Sequence, residues 1–174
     1  MKLLPRVLKE TNFSQFYAFI VFILPDNSID LKQRNKTNSD IIFSLKENTS
    51  LKRTPKLVLI EALSSKLNIY DDFLVGYASN EEKYPPNVKW SKSYIHQVCK
   101  GISENKNMDI CELLEKVNKK LDKTKELRSL SLNKTTERDA NDLVGYKIGI
   151  KSSYESRLNG KLLLSSPETY KSKF

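Results

Sequence analysis

The chain has 174 residues, of which 39% are hydrophobic and 29% charged, and its formal net charge at pH 7 is +9. This length can bury a core without covalent support, and a count of only two cysteines excludes a disulfide-rich scaffold. The apolar run Phe16–Leu24 is far shorter than the ~20 residues of a membrane-spanning helix, so we expect a cytoplasmic protein.

The predicted elements alternate between helices and strands, as expected of an α/β domain. In chain order they are a helix Leu3–Glu10, a strand Tyr17–Leu24, a polar loop 27–40, a short helix from Ser39 or Asp40 to about Lys46, strands Leu57–Ala62 and Phe73–Ala78, a helix Ser93–Gly101, a helix Met108–Lys120, a charged loop 126–143 and a final strand Glu155–Leu164. We expect one domain over residues 1–174, with 166–174 as a flexible tail.

Few residues could carry independent chemistry. His96 and Cys99 lie three apart on a predicted helix, but we expect Cys99 to pack inward and His96 to stay at the surface. One histidine and two cysteines cannot close a metal site without carboxylates in a recognisable spacing, and the five glycines form no phosphate-binding cluster. No metal and no cofactor are therefore predicted.

The positive charge raises the alternative of a basic nucleic-acid-binding module. Lysines and Arg128 are concentrated on and after the second long helix. Acidic residues interleave with them, and such an alternating face is usually a solvated helix surface. Lysine heavily outnumbers arginine, and the bias towards lysine, asparagine and isoleucine is typical of an A+T-rich genome. We therefore expect neither a nucleic-acid nor a membrane partner.

Residues 54–65 form an apolar run that opens after Pro55 and closes in Glu61-Ala62-Leu63 and two serines. This segment resembles the strand of the caspase family, which has the clan CD cysteine peptidase fold, that ends in Gln-Ala-Cys-x-Gly, with Glu61, Ala62 and Leu63 in the first three of those places. Residues 19–27 resemble the strand that ends in Ser-His-Gly, with Asp26 at the histidine. The segments 72–79, 93–97 and 108–120 resemble the first strand and the two helices of the small subunit, and 155–164 resembles the last strand more loosely.

The resemblance implies a caspase-like three-layer α/β/α fold with a mostly parallel sheet. Residues 12–62 correspond to the large subunit and residues 72–165 to the small subunit. The first recognisable strand corresponds to the family's third, so the fold is expected to be truncated at its N-terminal side, without strands 1 and 2. The family's strand order 2-1-3-4-5-6 then leaves 3-4-5-6 intact and one edge uncovered.

The resemblance also implies a pseudoenzyme, because Leu63 and Asp26 replace the cysteine and histidine of the dyad. The substrate pocket is degenerate as well: Glu61 replaces the glutamine, and Asn87 replaces one of the arginines that hold the substrate aspartate. An anionic Glu61 without a compensating cation would repel such a substrate.

A caspase-like chain without catalysis could still regulate apoptosis through a protein partner. We expect it to inhibit a caspase of the host or cell as a decoy or binding partner; given the composition, a viral inhibitor in the host cytoplasm is the favoured form. The alternative is a non-catalytic scaffold that promotes caspase activation. Asp139 and Asp142 match the Asp-x-x-Asp pattern of executioner caspases and are candidate bait residues, although capping aspartates of a solvated turn would give the same pattern.

Assembly is predicted to be weak. The caspases dimerise by pairing their last strands, and Gly160 would lie in the middle of the strand that resembles it here. Glycine weakens a strand interior. We therefore expect a monomer or a weak dimer, unless the uncovered strand 17–24 provides the contact.

Overall fold

The computed structural model describes residues 3–24, 30–63, 67–79, 93–132 and 151–164. Its regular elements are α1 (Leu3–Glu10), β1 (Phe19–Ile23), α2 (Leu31–Glu47), a 3-10 turn (Thr49–Leu51), β2 (Lys56–Leu63), β3 (Phe73–Ser79), α3 (Tyr94–Glu104), α4 (Ile110–Leu132) and β4 (Lys151–Ser156). Among the described residues, none of these helices is long and apolar enough to span a membrane.

The four strands form one sheet in the order β1-β2-β3-β4. The first three strands are parallel, and β4 runs antiparallel to β3. This arrangement confirms the mostly parallel sheet, and its order is the one expected for the 3-4-5-6 part of the family's sheet. β1 forms one edge of this sheet and β4 the other.

Two apolar clusters pack against opposite faces of the sheet, which gives three layers. Alternate residues of β2 divide between them: Val58 and Ile60 face α1 and α2, whereas Leu57 and Leu59 face α3 and α4. All four are almost completely buried. A strand covered on both faces reads as a continuous apolar run, which is why the sequence identified β2 so clearly.

The predicted polar loop 27–40 is wrong from residue 31 onward, because α2 occupies Leu31–Glu47. Its N-cap is Asp30, whose carboxylate accepts the Gln33 N–H at 2.8 Å. The buried face of the first turns carries Arg34 and Asn38 in place of apolar residues. The apolar spacing that signals a helix is therefore missing there, although the helix continues into an apolar second half.

The C-terminal part departs from the sequence predictions in two places. Helix α4 extends to Leu132, so the predicted charged loop 126–143 is wrong over residues 126–132, and its remainder lies outside the described residues. The last strand within the described residues lies at Lys151–Ser156, which leaves Gly160 outside it. The prediction failed because β4 is polar and pairs through its backbone, while Leu158 and Leu162 pack without strand structure against the α3/α4 layer. The argument for weak assembly from Gly160 is therefore wrong.

Candidate functional site

The candidate site lies where the parallel strands β1, β2 and β3 reach their carboxyl ends. Ligand sites of open α/β sheets form at this edge, because the loops that leave the strands converge there. Two of the predicted site residues, Glu61 and Leu63, are described. The others lie outside the described residues: Asp26, Asn87, Asp139 and Asp142.

Glu61 is held inside the molecule by the first turn of α3. Its side chain is buried, and its two carboxylate oxygens accept the backbone N–H groups of Tyr94 and Ile95, each at 2.8 Å. These groups belong to the helix N-terminus, which carries partial positive charge and no intrahelical acceptors. The helix terminus thus compensates the anionic charge, for which the sequence had suggested no partner.

Ser93 completes the same arrangement. It is buried directly before α3, and its hydroxyl accepts the His96 N–H at 3.1 Å. Glu61 and Ser93 therefore satisfy the first three N–H groups of α3, so the carboxylate anchors the helix to the end of β2. The sequence identified Ser93 as the helix start but missed that Glu61 binds there, because the two residues are far apart along the chain.

Leu63 points away from Glu61, into the opposite layer. Strict alternation would put both side chains on one face, but the pairing of β2 with β3 shifts register between Ile60 and Leu63. Leu63 consequently joins the α1/α2 cluster with Ile42 and Leu45 and is only 5% exposed. This side chain offers no reactive atom and contributes to the core.

The two thiols lie on the helices α3 and α4. Cys99 is on α3 and exposed, which corrects the prediction that it packs inward; Cys111 is half-buried on α4. Partial burial raises the pKa of both thiols above the ordinary value. A raised pKa lowers the thiolate fraction at neutral pH, so neither cysteine has the character of an activated nucleophile.

The described part of the chain contains no group of three or more histidine, cysteine or acidic side chains that could hold a metal ion. One cavity of about 440 Å³ lies between α1 and α2 and is lined by Pro5, Gln33, Lys36, Thr37, Asp40, Phe43 and Ser44. No strand residue lines it, so it is separate from the ends of β1, β2 and β3.

The comparisons with known proteins show similarity in structure. No family model and no curated protein matches the sequence. The structure resembles one described as "structure of pro-sf-caspase-1" with a TM-score of 0.60 and 13% sequence identity, over 97% of this chain and 72% of that chain. It also resembles one described as "Crystal Structure of drICE" with a TM-score of 0.55 and 21% identity, over 94% of this chain and 74% of that chain.

These likenesses agree with the strand order, the antiparallel last strand and the helices on both faces of the sheet. At this level of sequence identity they establish the fold alone. The chain has a caspase-like α/β fold, and the likeness to caspase structures extends over nearly all of it.

Proposed function

We propose that this protein is a catalytically inactive caspase-like protein that regulates apoptosis by binding a caspase, and that it acts as an inhibitor. The observation that carries the proposal is Leu63. In the sequence resemblance it stands at the nucleophile, and its side chain is apolar and buried in the α1/α2 cluster. A nucleophile has to reach both solvent and substrate, and this position provides neither access nor a reactive atom.

Glu61 supports the same proposal. The family's glutamine at this position helps to hold the substrate aspartate, whereas the carboxylate here accepts two N–H groups of α3. Turning it towards a substrate would leave both donors without these bonds inside the protein, which costs on the order of 1–3 kcal/mol for each group. An aspartate side chain would also meet a like charge.

Binding of a protein partner fits the charge distribution better than binding of nucleic acid. On α3 and α4, Lys100 pairs with Glu104 at 3.7 Å and Lys116 with Glu112 at 3.3 Å. Each of these exposed pairs places a negative charge beside a lysine, so the positive charge along the two helices is interrupted. A phosphate backbone is attracted by a continuous basic surface. The composition bias supports a viral inhibitor acting in the host cytoplasm.

The test is to add the purified chain to an active executioner caspase and to measure hydrolysis of an aspartate-containing reporter peptide. The chain alone is expected to give no hydrolysis, and increasing amounts of it should reduce the rate of the caspase. The control is Leu114→Asp, which places a charge in the α3/α4 core and should destabilise the fold. If inhibition depends on the folded surface of the chain, this variant should not inhibit.

The same chain is then expressed in cells given an apoptotic stimulus, and executioner activity is measured. A reduced activity supports inhibition. An increased activity would favour the activating scaffold instead, and unchanged activity in both assays would contradict regulation of caspases.

A further inference from the structure

The segment after β4 contains the only Asn-Gly pair of the sequence, Asn159-Gly160. An asparagine followed by glycine can lose its side-chain amide without an enzyme, because no Cβ atom obstructs the approach of the glycine nitrogen to the asparagine side chain. Both residues are exposed and lie in a bend outside the regular elements. A Cβ atom on Gly160 would meet no described atom within 4 Å beyond its chain neighbours, so the fold leaves space around this peptide bond.

The side-chain amide of Asn159 has a structural partner. It donates to the Asp72 carboxylate at 3.0 Å, across 87 positions of the chain. Asp72 lies in the turn before β3 with a φ of 66°, a left-handed conformation that aspartate and asparagine tolerate better than most residues. Its N–H donates to the Arg157 carbonyl at 3.0 Å, and the Arg157 N–H donates to the Phe73 carbonyl at 2.8 Å. Asn159 thus adds a side-chain link to the contact between this turn and the chain that leaves β4.

Further along, the same stretch is attached to the start of α4. The Leu162 N–H donates to the Asp109 carboxylate at 2.9 Å, and the Leu162 carbonyl accepts the Ile110 N–H at 2.9 Å. The Leu162 side chain is 3% exposed and packs in the α3/α4 cluster. Residues 157–162, which we call the connecting segment, therefore join the start of β3 to the start of α4. The Asn-Gly pair lies between the two attachments.

We propose that Asn159 is a site of spontaneous deamidation, and that its conversion loosens the connecting segment. The Gly160 backbone nitrogen, after losing its proton to hydroxide from the solvent, attacks the side-chain carbonyl carbon of Asn159. The amide C–N bond breaks, and the amide nitrogen takes up a proton and leaves as ammonia. The remaining succinimide ring is opened by water at either of its carbonyl groups, which gives aspartate or isoaspartate. No oxidant or reductant is consumed.

Both products remove the link between position 159 and Asp72. Each replaces the amide donor with a carboxylate, so two negative charges face each other where a hydrogen bond stood. Isoaspartate also carries the main chain through its side-chain carbon, which adds one methylene group to the backbone between the attachments at Phe73 and Leu162. A longer connection between two fixed ends opens more often. This inference does not depend on the proposed function.

The first test is to incubate the full folded chain in mildly alkaline buffer and to follow each asparagine by peptide mapping with mass spectrometry. We expect aspartate and isoaspartate at position 159. Asn105 is the internal control: it precedes a lysine, and its side-chain amide donates to the Gly101 carbonyl at 2.9 Å. It should keep its amide over the same time. An Asn159 that stays intact in the folded chain, or that converts no faster than Asn105, would overturn the proposal.

Gly160→Ala is the matched variant for the chemistry. Gly160 does not have a positive φ, and the open space around it accepts a methyl group, so the fold should be kept. The added Cβ atom obstructs the attacking nitrogen, and conversion of Asn159 should slow at least about tenfold. An unchanged rate in this variant would show that the reaction does not pass through the Gly160 nitrogen.

The effect on the connecting segment is tested with Asn159→Asp, which imitates one of the two products. Hydrogen exchange at the Leu162 amide should become at least about threefold faster than in the native chain. Adding Asp72→Asn restores an amide and carboxylate pair with the roles exchanged, and should return the exchange to the native rate. Circular dichroism identifies any variant that has unfolded. Native exchange in folded Asn159→Asp, or no recovery in the folded double variant, would show that this link does not hold the segment.

Discussion

The sequence resemblance and the structure assign different roles to Glu61. The resemblance assigns it to a substrate pocket, while the structure has its carboxylate bound to the N-terminus of α3. A buried carboxylate persists only when its hydrogen bonds and a positive field offset the loss of hydration. The end of a helix provides both, so the negative charge has a structural function.

The first prediction concerns Glu61→Gln, which restores the family's residue. Glutamine has a single acceptor oxygen, and its NH₂ group would face one of the two N–H donors. We expect a loss of about 1–3 kcal/mol in the free energy of unfolding, measured by urea denaturation, and no gain of peptidase activity. The control is Glu112→Gln on the exposed surface of α4, which should change stability by less than about 0.5 kcal/mol. Equal effects at the two positions would contradict the anchoring role.

The second prediction concerns Leu63→Cys in a chain that also carries Cys99→Ser and Cys111→Ser. Because position 63 is buried among apolar side chains, the new thiol should react with a thiol reagent at least about a hundredfold more slowly than the exposed native Cys99. No hydrolysis of aspartate reporters is expected, even with Asp26→His added. A fast reaction of the introduced thiol would mean that this position opens to solvent.

At the scale of elements, the packing of α3 on the sheet depends on a close approach at Gly76 of β3. A Cβ atom there would lie 2.5 Å from the Tyr94 hydroxyl and 3.0 Å from Leu59 Cδ2. Tyr94 is fully buried, and within the described part of the chain its hydroxyl has no hydrogen-bond partner. Burial, together with the nearby Glu61, raises the pKa of this hydroxyl, which therefore stays protonated.

The third prediction is a double-mutant cycle at this contact. Gly76→Ala should lower the free energy of unfolding by about 1–3 kcal/mol, because the methyl group displaces Tyr94. Tyr94→Phe should be neutral or stabilising by up to about 1 kcal/mol, since it removes a buried hydroxyl without a partner. In the Tyr94→Phe chain, Gly76→Ala should cost less than in the native chain. Equal costs by urea denaturation would show that Tyr94 does not set the spacing.

At the scale of the molecule, the two apolar clusters share one sheet and should unfold together. Leu45 of α2 and Leu114 of α4 are both fully buried, on opposite faces. The fourth prediction is that Leu45→Ala and Leu114→Ala each reduce the free energy of unfolding by about 2–5 kcal/mol while keeping a single transition. The control, Leu163→Ala at an exposed position, should have a small effect. Two separate transitions would show that the layers are independent.

The fifth prediction concerns how a caspase would be inhibited. If residues 139–142 serve as bait, an active executioner caspase should cut after Asp142, and Asp142→Ala should abolish inhibition without changing the thermal unfolding midpoint. Asp71→Ala, at an exposed aspartate before β3, is the matched control and should inhibit normally. Cleavage is followed by mass spectrometry. Normal inhibition by Asp142→Ala would remove these residues from the mechanism.

The sequence alone determined the sheet and its family likeness. The strands β1, β2 and β3 are apolar runs, and their order along the chain matches the resemblance. The fold class could therefore be predicted, as could the location of Glu61 and Leu63 at the end of β2 and the residue at which α3 begins. Strand β4 and the first turns of α2 could not be located, because their residues are polar and their structure depends on backbone pairing and on partners elsewhere in the chain.

Only the tertiary structure decided what the side chains of the site do. Leu63 turns into the α1/α2 layer because of a register shift, and Glu61 finds its partner more than thirty residues later in the chain. The apolar run of β1 likewise looks buried in sequence, yet one of its faces is left uncovered. Hydrophobic patterns record which residue types a strand carries, whereas burial and charge compensation depend on which distant elements lie against it.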